Sequence, residues 1–125
     1  MKTKQEWIIG NCFDRLPELE DDSVDLIITD PPYNVLQLEW DKQETDWLEL
    51  AKELHRVLKL HGSIYIFGQM PMMNDVFNSF DHYFKFRQDL VWYKNRGFSL
   101  SDTTFTKHHE NILFCVKDIN NRLVD

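Results

Sequence analysis

Apolar residues recur along this chain in two periods. Between Thr45 and Lys59, Trp47, Leu50, Ala51, Leu54, Val57 and Leu58 fall three and four positions apart. On a helix of 3.6 residues per turn they form one stripe, so the segment is expected to be helical. Short runs rich in β-branched and aromatic residues lie elsewhere: Val24–Thr29, Ser63–Phe67, Leu90–Tyr93 and Asn111–Val116, with a shorter one, Trp7–Ile9, ended by Gly10. These are expected strands. Val24–Thr29 is almost wholly apolar, as expected of a strand covered on both faces.

Punctuation residues complete the pattern. Phe13–Leu19 suits one or two helical turns, and Glu20–Ser23 a polar turn. Gly62 suits the position just beyond the long helix. Pro71 suits the first turn of another helix, carrying Met72, Val76, Phe77 and Phe80 inward. Met70–Met73 reads as core filling around that helix start rather than a flexible binding surface. Strands alternating with helices imply an α/β fold, a largely parallel sheet with helices on its faces. In such sheets ligands sit beyond the carboxyl ends of the strands, which says where to look for chemistry.

Composition narrows the class. The 125 residues make one modest domain, and 42% hydrophobic content is that of a globular protein. No apolar run approaches the ~18 residues of a membrane span. The start turns polar early, so no leader is expected. Cys12 and Cys115 have no metal spacing and read as two reduced, buried thiols, consistent with the cytoplasm. The net charge of −7 comes entirely from residues 1–62, where 14 Asp/Glu face 7 Lys/Arg; residues 63–125 balance at 7 each. A phosphate backbone would be repelled by the first half and would have to lie against another surface. Lys94, Arg96 and Lys107, with His108 and His109, form the one locally basic stretch, either a phosphate-contacting loop or a solvated one. Adjacent histidines in a strand point to opposite faces, so no metal site is expected at His108-His109-Glu110. By the same alternation, one of Trp92 and Tyr93 is expected in the core. The other is at most half exposed and available to stack on a base.

The sharpest feature is the strand end Asp30-Pro31-Pro32-Tyr33. Such a tetrapeptide arises by chance in roughly one chain in 10³ of this size, and here it stands where an α/β sheet places its site. An exocyclic amino group on a nucleobase is a poor nucleophile, because its lone pair is delocalised into the ring. Two acceptors against its two N–H bonds would draw the nitrogen toward tetrahedral geometry. Asp30 offers a carboxylate oxygen; Pro31 offers a carbonyl oxygen and has no N–H to intrude. Successive prolines stiffen the loop, so little order must be gained on binding. Tyr33 offers an aromatic face to an unstacked base. Methyl transfer from a sulfonium needs no metal, and Asp30 suits the positive charge that develops on nitrogen.

These residues resemble a known family, the amino-directed DNA methyltransferases of the DNA methylase N-4/N-6 type. Gly10-Asn11-Cys12, Leu16-Pro17 and Ser23–Ile27 resemble the family's approach to its catalytic strand, and Asp30–Asn34 its catalytic motif. Trp40-Asp41, Arg56–Lys59, Gly62–Gly68, Trp92–Asn95 and His109–Phe114 follow in the family's order. The resemblance implies a partial Rossmann-like S-adenosylmethionine-dependent methyltransferase sheet with flanking helices. It implies catalytic roles for Asp30, Pro31, Pro32 and Tyr33, and cofactor contacts at Asn11, Cys12 and Asp30. It implies substrate or DNA contacts at Tyr33, Asn34, Lys94, Arg96, Lys107 and His109. The family usually has Asp where this chain has Asn11, which weakens the expected hold on the cofactor. Its glycine motif follows a target-recognition segment, whereas Gly10, Gly62, Gly68 and Gly97 are isolated here. Residues 1–125 therefore read as the catalytic-motif portion of one incomplete domain. Such a portion would act on double-stranded DNA together with a second chain or C-terminal half, or as a homodimer. Adenine N6 is the target by resemblance. Cytosine N4 and a non-catalytic remnant or nucleic-acid-binding module are the alternatives.

Overall fold

A computed structural model of the chain describes residues 3–31, 45–98 and 105–118. Four strands form one sheet: β1 (Val24–Thr29), β2 (Leu58–Gly68), β3 (Lys85–Phe98) and β4 (Lys107–Val116), in the order β1-β2-β4-β3. Three helices accompany them: α1 (Cys12–Arg15), continued by a 3-10 turn over Leu16–Glu18, then α2 (Trp47–Val57) and α3 (Met72–Phe80). The α/β class and the main elements are as the sequence implies. The sheet is mixed rather than largely parallel: β1 and β2 run parallel, whereas β4 is antiparallel to both β2 and β3. Only residues 99–106 join β3 to β4, too few for the crossover of a dozen or more that a parallel pair requires.

One face of the sheet carries the core. Leu50, Ala51 and Leu54 of α2 and Met73, Val76 and Phe80 of α3 pack on Ile64 and Ile66 of β2, Leu113 and Cys115 of β4, and Phe84. Met72 and Phe77, expected inward, are only partly buried; the next residue along, Met73, is the buried one. Each fully buried Leu, Ile or Phe contributes about 1.5–3 kcal/mol, so this face supplies most of the stability.

The opposite face is open at its β1 edge. Leu26 is 51% and Ile28 66% exposed, so β1 is covered on one face, not two. Both helices pack on the other face, and among the described residues β1 pairs with β2 alone. Trp7–Ile9 forms no strand and stands exposed. Its composition suits a strand, but among the described residues it has no ladder partner, and two or three residues do not hold that form in water alone.

The helix ends show how the chain is clamped at the amino end of the sheet. Asp46 caps α2, its carboxylate accepting the Glu49 N–H at 3.1 Å. Gly62 does not end this helix, because it lies inside β2. A Cβ there would stand 2.4 Å from Leu58 Cδ1, so the glycine gives the Leu58 side chain its space. The last carbonyls of α2 are met from elsewhere. The N–H groups of Asp22 and Ser23 donate to Arg56 and Val57 at 3.0 and 2.8 Å. The Lys117 ammonium donates to the carbonyls of His55 and Leu58 at 2.8 and 2.7 Å and to Asp22 at 2.8 Å. A cation there also complements the helix dipole. Asp22 adopts a left-handed conformation (φ 52°) in the expected polar turn, a region Asp tolerates better than most residues.

Candidate active site at the carboxyl end of the sheet

β1 and β2 point the same way, so Thr29 and Gly68 mark one end of the sheet. Asp30 leaves β1 at that end, exposed, and Pro31 behind it is buried. Pro32, Tyr33 and Asn34 lie outside the described residues. Thr29 pairs with Ile66, so the next step along the sheet brings Asp30 level with Phe67. Gly68 follows, where a Cβ would meet the terminal methyls of Met72 and Met73 at 2.8 Å. These are the far ends of flexible side chains, so the glycine leaves the two methionines room to pack against the strand end rather than being demanded by the backbone.

β3 and β4 continue past this end as a two-stranded ribbon. Gly68 of β2 is level with Asn111 of β4, and beyond it Trp92 pairs with Glu110 and Tyr93 with His109. Trp92 and Tyr93 are 49% and 69% exposed, so neither is in the core. The alternation that would bury one of them needs a sheet or helix on the second side, and the ribbon extends past β2. Lys94 is not a solitary cation. Its ammonium lies 2.6 Å from a carboxylate oxygen of Glu110, the one charged residue buried among the described ones. It also lies over the Trp92 ring, 5.4 Å from its centroid. Lys107, His108 and His109 are exposed, and the His108 ring lies stacked against Tyr93. The Arg96 side chain lies outside the described residues.

Asn11 and Cys12 are carried separately. The Asn11 side-chain oxygen caps α1, accepting the Phe13 N–H at 2.9 Å. Cys12 is exposed, not buried as expected; Cys115 is buried, and burial pushes its thiol up to about 12. The residues after α1 are tied to the amino end of the sheet. Arg56, in the last turn of α2, donates to the carbonyls of Leu16 and Leu19 at 2.9 and 2.8 Å. The structure thus places Asp30, Phe67, Trp92, Lys94 and Glu110 toward one end of the sheet and carries Asn11 and Cys12 on a separate segment. Glu110 has no role in the sequence reading. The signal is there: it is the only carboxylate in β4, facing the strand of Trp92 and Lys94, which two-residue spacing puts on one face. Among the described residues, no group of three or more His, Cys, Asp or Glu side chains is arranged to hold a metal.

The family model for DNA methylases of the N6/N4 type matches residues 24–124. The chain is 34% identical over 126 residues to the Type II methyltransferase M.HpaI of Haemophilus parainfluenzae, an alignment spanning 90% of this chain and 39% of that protein. It is 33% identical over 122 residues to the DNA adenine methyltransferase YhdJ of Escherichia coli, spanning 91% of this chain and 42% of that one. It thus spans about two fifths of the length of these relatives. TTHA0409 of Thermus thermophilus, solved in complex with S-adenosyl-L-methionine, shares the fold with a TM-score of 0.69 at 19% identity, over 94% of this chain and 55% of that one.

Proposed function

Because the chain belongs to the DNA methylase family of the N6/N4 type, we propose that it is the catalytic-motif portion of a DNA methyltransferase. The reaction moves a methyl group from S-adenosylmethionine to an exocyclic amino group of a flipped base, adenine N6 rather than cytosine N4. The observation that carries this reading is the exposed Asp30 on a buried Pro31, at the carboxyl end of a strand in a parallel pair. The relative named as a DNA adenine methyltransferase supports the choice of base.

The roles follow from the groups present. Asp30 and the Pro31 carbonyl accept the two amino N–H bonds and localise the lone pair. Pro32 stiffens the turn, Tyr33 stacks on the extruded base, and Asn34 and His109 border it. Lys107 and Arg96 are the cations assigned to the phosphates. The cofactor, when bound, supplies an electrophilic methyl on sulfur. The groups here that fit it are the exposed Asn11 amide nitrogen and Cys12, with Asp30; the Asn11 oxygen already takes the Phe13 N–H. Holding a donor in line accounts for about 7–11 kcal/mol of such a barrier. The glycine loop that would complete the pocket has no counterpart in these 125 residues. By themselves they therefore bind the cofactor weakly and act only with a segment or second chain that carries it.

The test is tritium transfer from labelled S-adenosylmethionine to unmethylated DNA, run with the 125-residue chain and with a protein that also contains the completing segment. The expected result is transfer to adenine in the second only, absent from Asp30→Ala. Label on cytosine would move the reading to N4. Turnover by the 125 residues alone would mean that they assemble a full donor site.

A further inference from the structure

The segment that carries Asn11 and Cys12 is weakly built. It contributes no strand to the sheet, and α1 with its 3-10 continuation covers only Cys12–Glu18. A helix this short does not hold itself together in water. Phe13 and Leu16 rest against the core, but neither is fully buried. Arg56 of α2 reaches back to it. Its Nη2 donates to the Leu16 carbonyl at 2.9 Å and its Nη1 to the Leu19 carbonyl at 2.8 Å. Leu16 is the junction: its own N–H donates to the Cys12 carbonyl, and its carbonyl also accepts the Leu19 N–H at 3.0 Å. Two hydrogen bonds and one residue therefore lead from the guanidinium to Cys12, whose neighbour Asn11 caps the same turn. The guanidinium is itself aimed. Glu53, one turn earlier on α2, accepts its Nε at 3.0 Å, and that carboxylate side chain is 19% exposed. Asp21 lies 2.8 Å from Nη1 but is 74% exposed, so its attraction is screened and adds little. The flat fork spans both carbonyls while Glu53 holds the Nε; a lysine at this position has no second nitrogen for that task.

From this geometry we infer that Arg56 is a positioning residue: through Leu16 and Leu19 it fixes the Asn11–Cys12 turn in the form that receives the methyl donor. The inference rests on the methyltransferase reading, in which Asn11 and Cys12 contact S-adenosylmethionine. Arg56 acts through the main chain and touches no reacting atom. It orders the turn before the cofactor arrives, so that binding does not have to supply that order. At saturating cofactor the turn is ordered with or without it. Loss of Arg56 therefore weakens the hold on the cofactor and spares the rate of transfer. Lys117 supplies the control. It meets the same end of α2, but its bonds go to the carbonyls of His55 and Leu58 and to Asp22 instead.

Two measurements test this on Arg56→Met, Arg56→Lys and Lys117→Met, with thermal unfolding recorded for each. The first is amide hydrogen exchange over residues 12–19 in the 125-residue chain. The second is steady-state methyl transfer to DNA by a protein that also contains the completing segment, with S-adenosylmethionine varied. In Arg56→Met, exchange over residues 12–19 is expected to quicken about tenfold relative to the strands, and KM for S-adenosylmethionine to rise about tenfold with kcat within about twofold of wild type. Arg56→Lys, milder in its effect on folding, falls between. Lys117→Met lowers the melting temperature and leaves both the local exchange and KM near wild type. Unchanged exchange over residues 12–19, or an unchanged KM, in either folded Arg56 variant overturns the inference. So does an equal rise of KM in Lys117→Met, which would make Arg56 one more contributor to stability. A completed wild type that transfers no methyl group to DNA overturns the methyltransferase reading and this inference with it. Transfer whose KM is indifferent to Arg56 overturns the inference alone.

Discussion

At the amino end of the sheet, Lys117 and Arg56 between them engage four main-chain carbonyls and three carboxylates. At the carboxyl end, Asp30, Trp92, Tyr93, Lys107 and His109 stand in solvent. The same sheet is tied down on one side and left presenting side chains on the other. The contrast teaches that the cations of this chain have different occupations. Lys117, Arg56 and Lys94 are held by carboxylates or carbonyls of the fold, and Lys107 is exposed. A basic residue in the sequence is therefore a poor guide to a phosphate contact until its partner is known.

The comparison can be broken most directly at Asp30. In an enzyme containing this segment, Asp30→Ala is expected to abolish methyl transfer and leave the melting temperature unchanged, since the residue lies outside the core. Activity above a tenth of wild type would remove Asp30 from its role. At the other end, Lys117→Met is expected to cost stability with no direct effect on chemistry. It leaves the carbonyls of His55 and Leu58 short of a donor in a largely buried place, worth about 2–4 kcal/mol. Denaturant unfolding of the chain measures this, and an unchanged midpoint would show that the clamp is ornamental.

Tyr33 offers a smaller effect. Tyr33→Ala is expected to lose ~1–3 kcal/mol of target-base binding while Tyr33→Phe loses little. Equal, large losses in binding titrations would point to the hydroxyl instead. The contrast between cations is sharpened by salt dependence. Lys107→Ala is expected to lower the slope of DNA affinity against salt by about 1, whereas Lys94→Ala leaves it nearly unchanged. Identical slopes for the two variants would erase the distinction.

The smallest effect is on pH. Burial, then Lys117, holds the His55 imidazole below its ordinary 6.5. The unfolded chain then takes up that proton first, so stability falls as pH drops below about 6.5. Hydrogen bonding and attraction to Lys117 lower the Asp22 carboxyl, which adds a second loss as pH falls below about 3.8. Replacing His55 by Gln should flatten the first step in thermal melts between pH 7 and 5 and spare the second.

Much of this architecture is legible in the order of residues alone. The apolar stripe on α2 marks the helix to within two residues at each end, because a three-four spacing fits no other element. Asp30 stands out as part of a motif placed by topology. The misreadings share a cause: strand composition does not name its neighbours. Trp7–Ile9 has a strand's residues and no ladder partner among the described residues, and Leu26 and Ile28 have an apolar strand's residues and are exposed. The mixed sheet is readable from the short link between β3 and β4, but alternation of elements outweighs it. For the Lys94–Glu110 pair the sequence offers only the hint that Glu110 is the sole carboxylate of its strand; which cation it meets depends on a ladder register that the sequence does not spell out.

The two cysteines lead to a practical end. Cys12 is open to solvent, while Cys115 is 3% exposed with its thiol pushed up to about 12, so it carries almost no thiolate near neutrality. A thiol reagent should consume one equivalent quickly, and the rate of that step would report shielding of the Asn11–Cys12 turn by anything that settles there. The second equivalent must wait until β4 comes away from the helices. Its appearance is a clock for opening of the sheet, built into the chain and readable with a colorimetric dye.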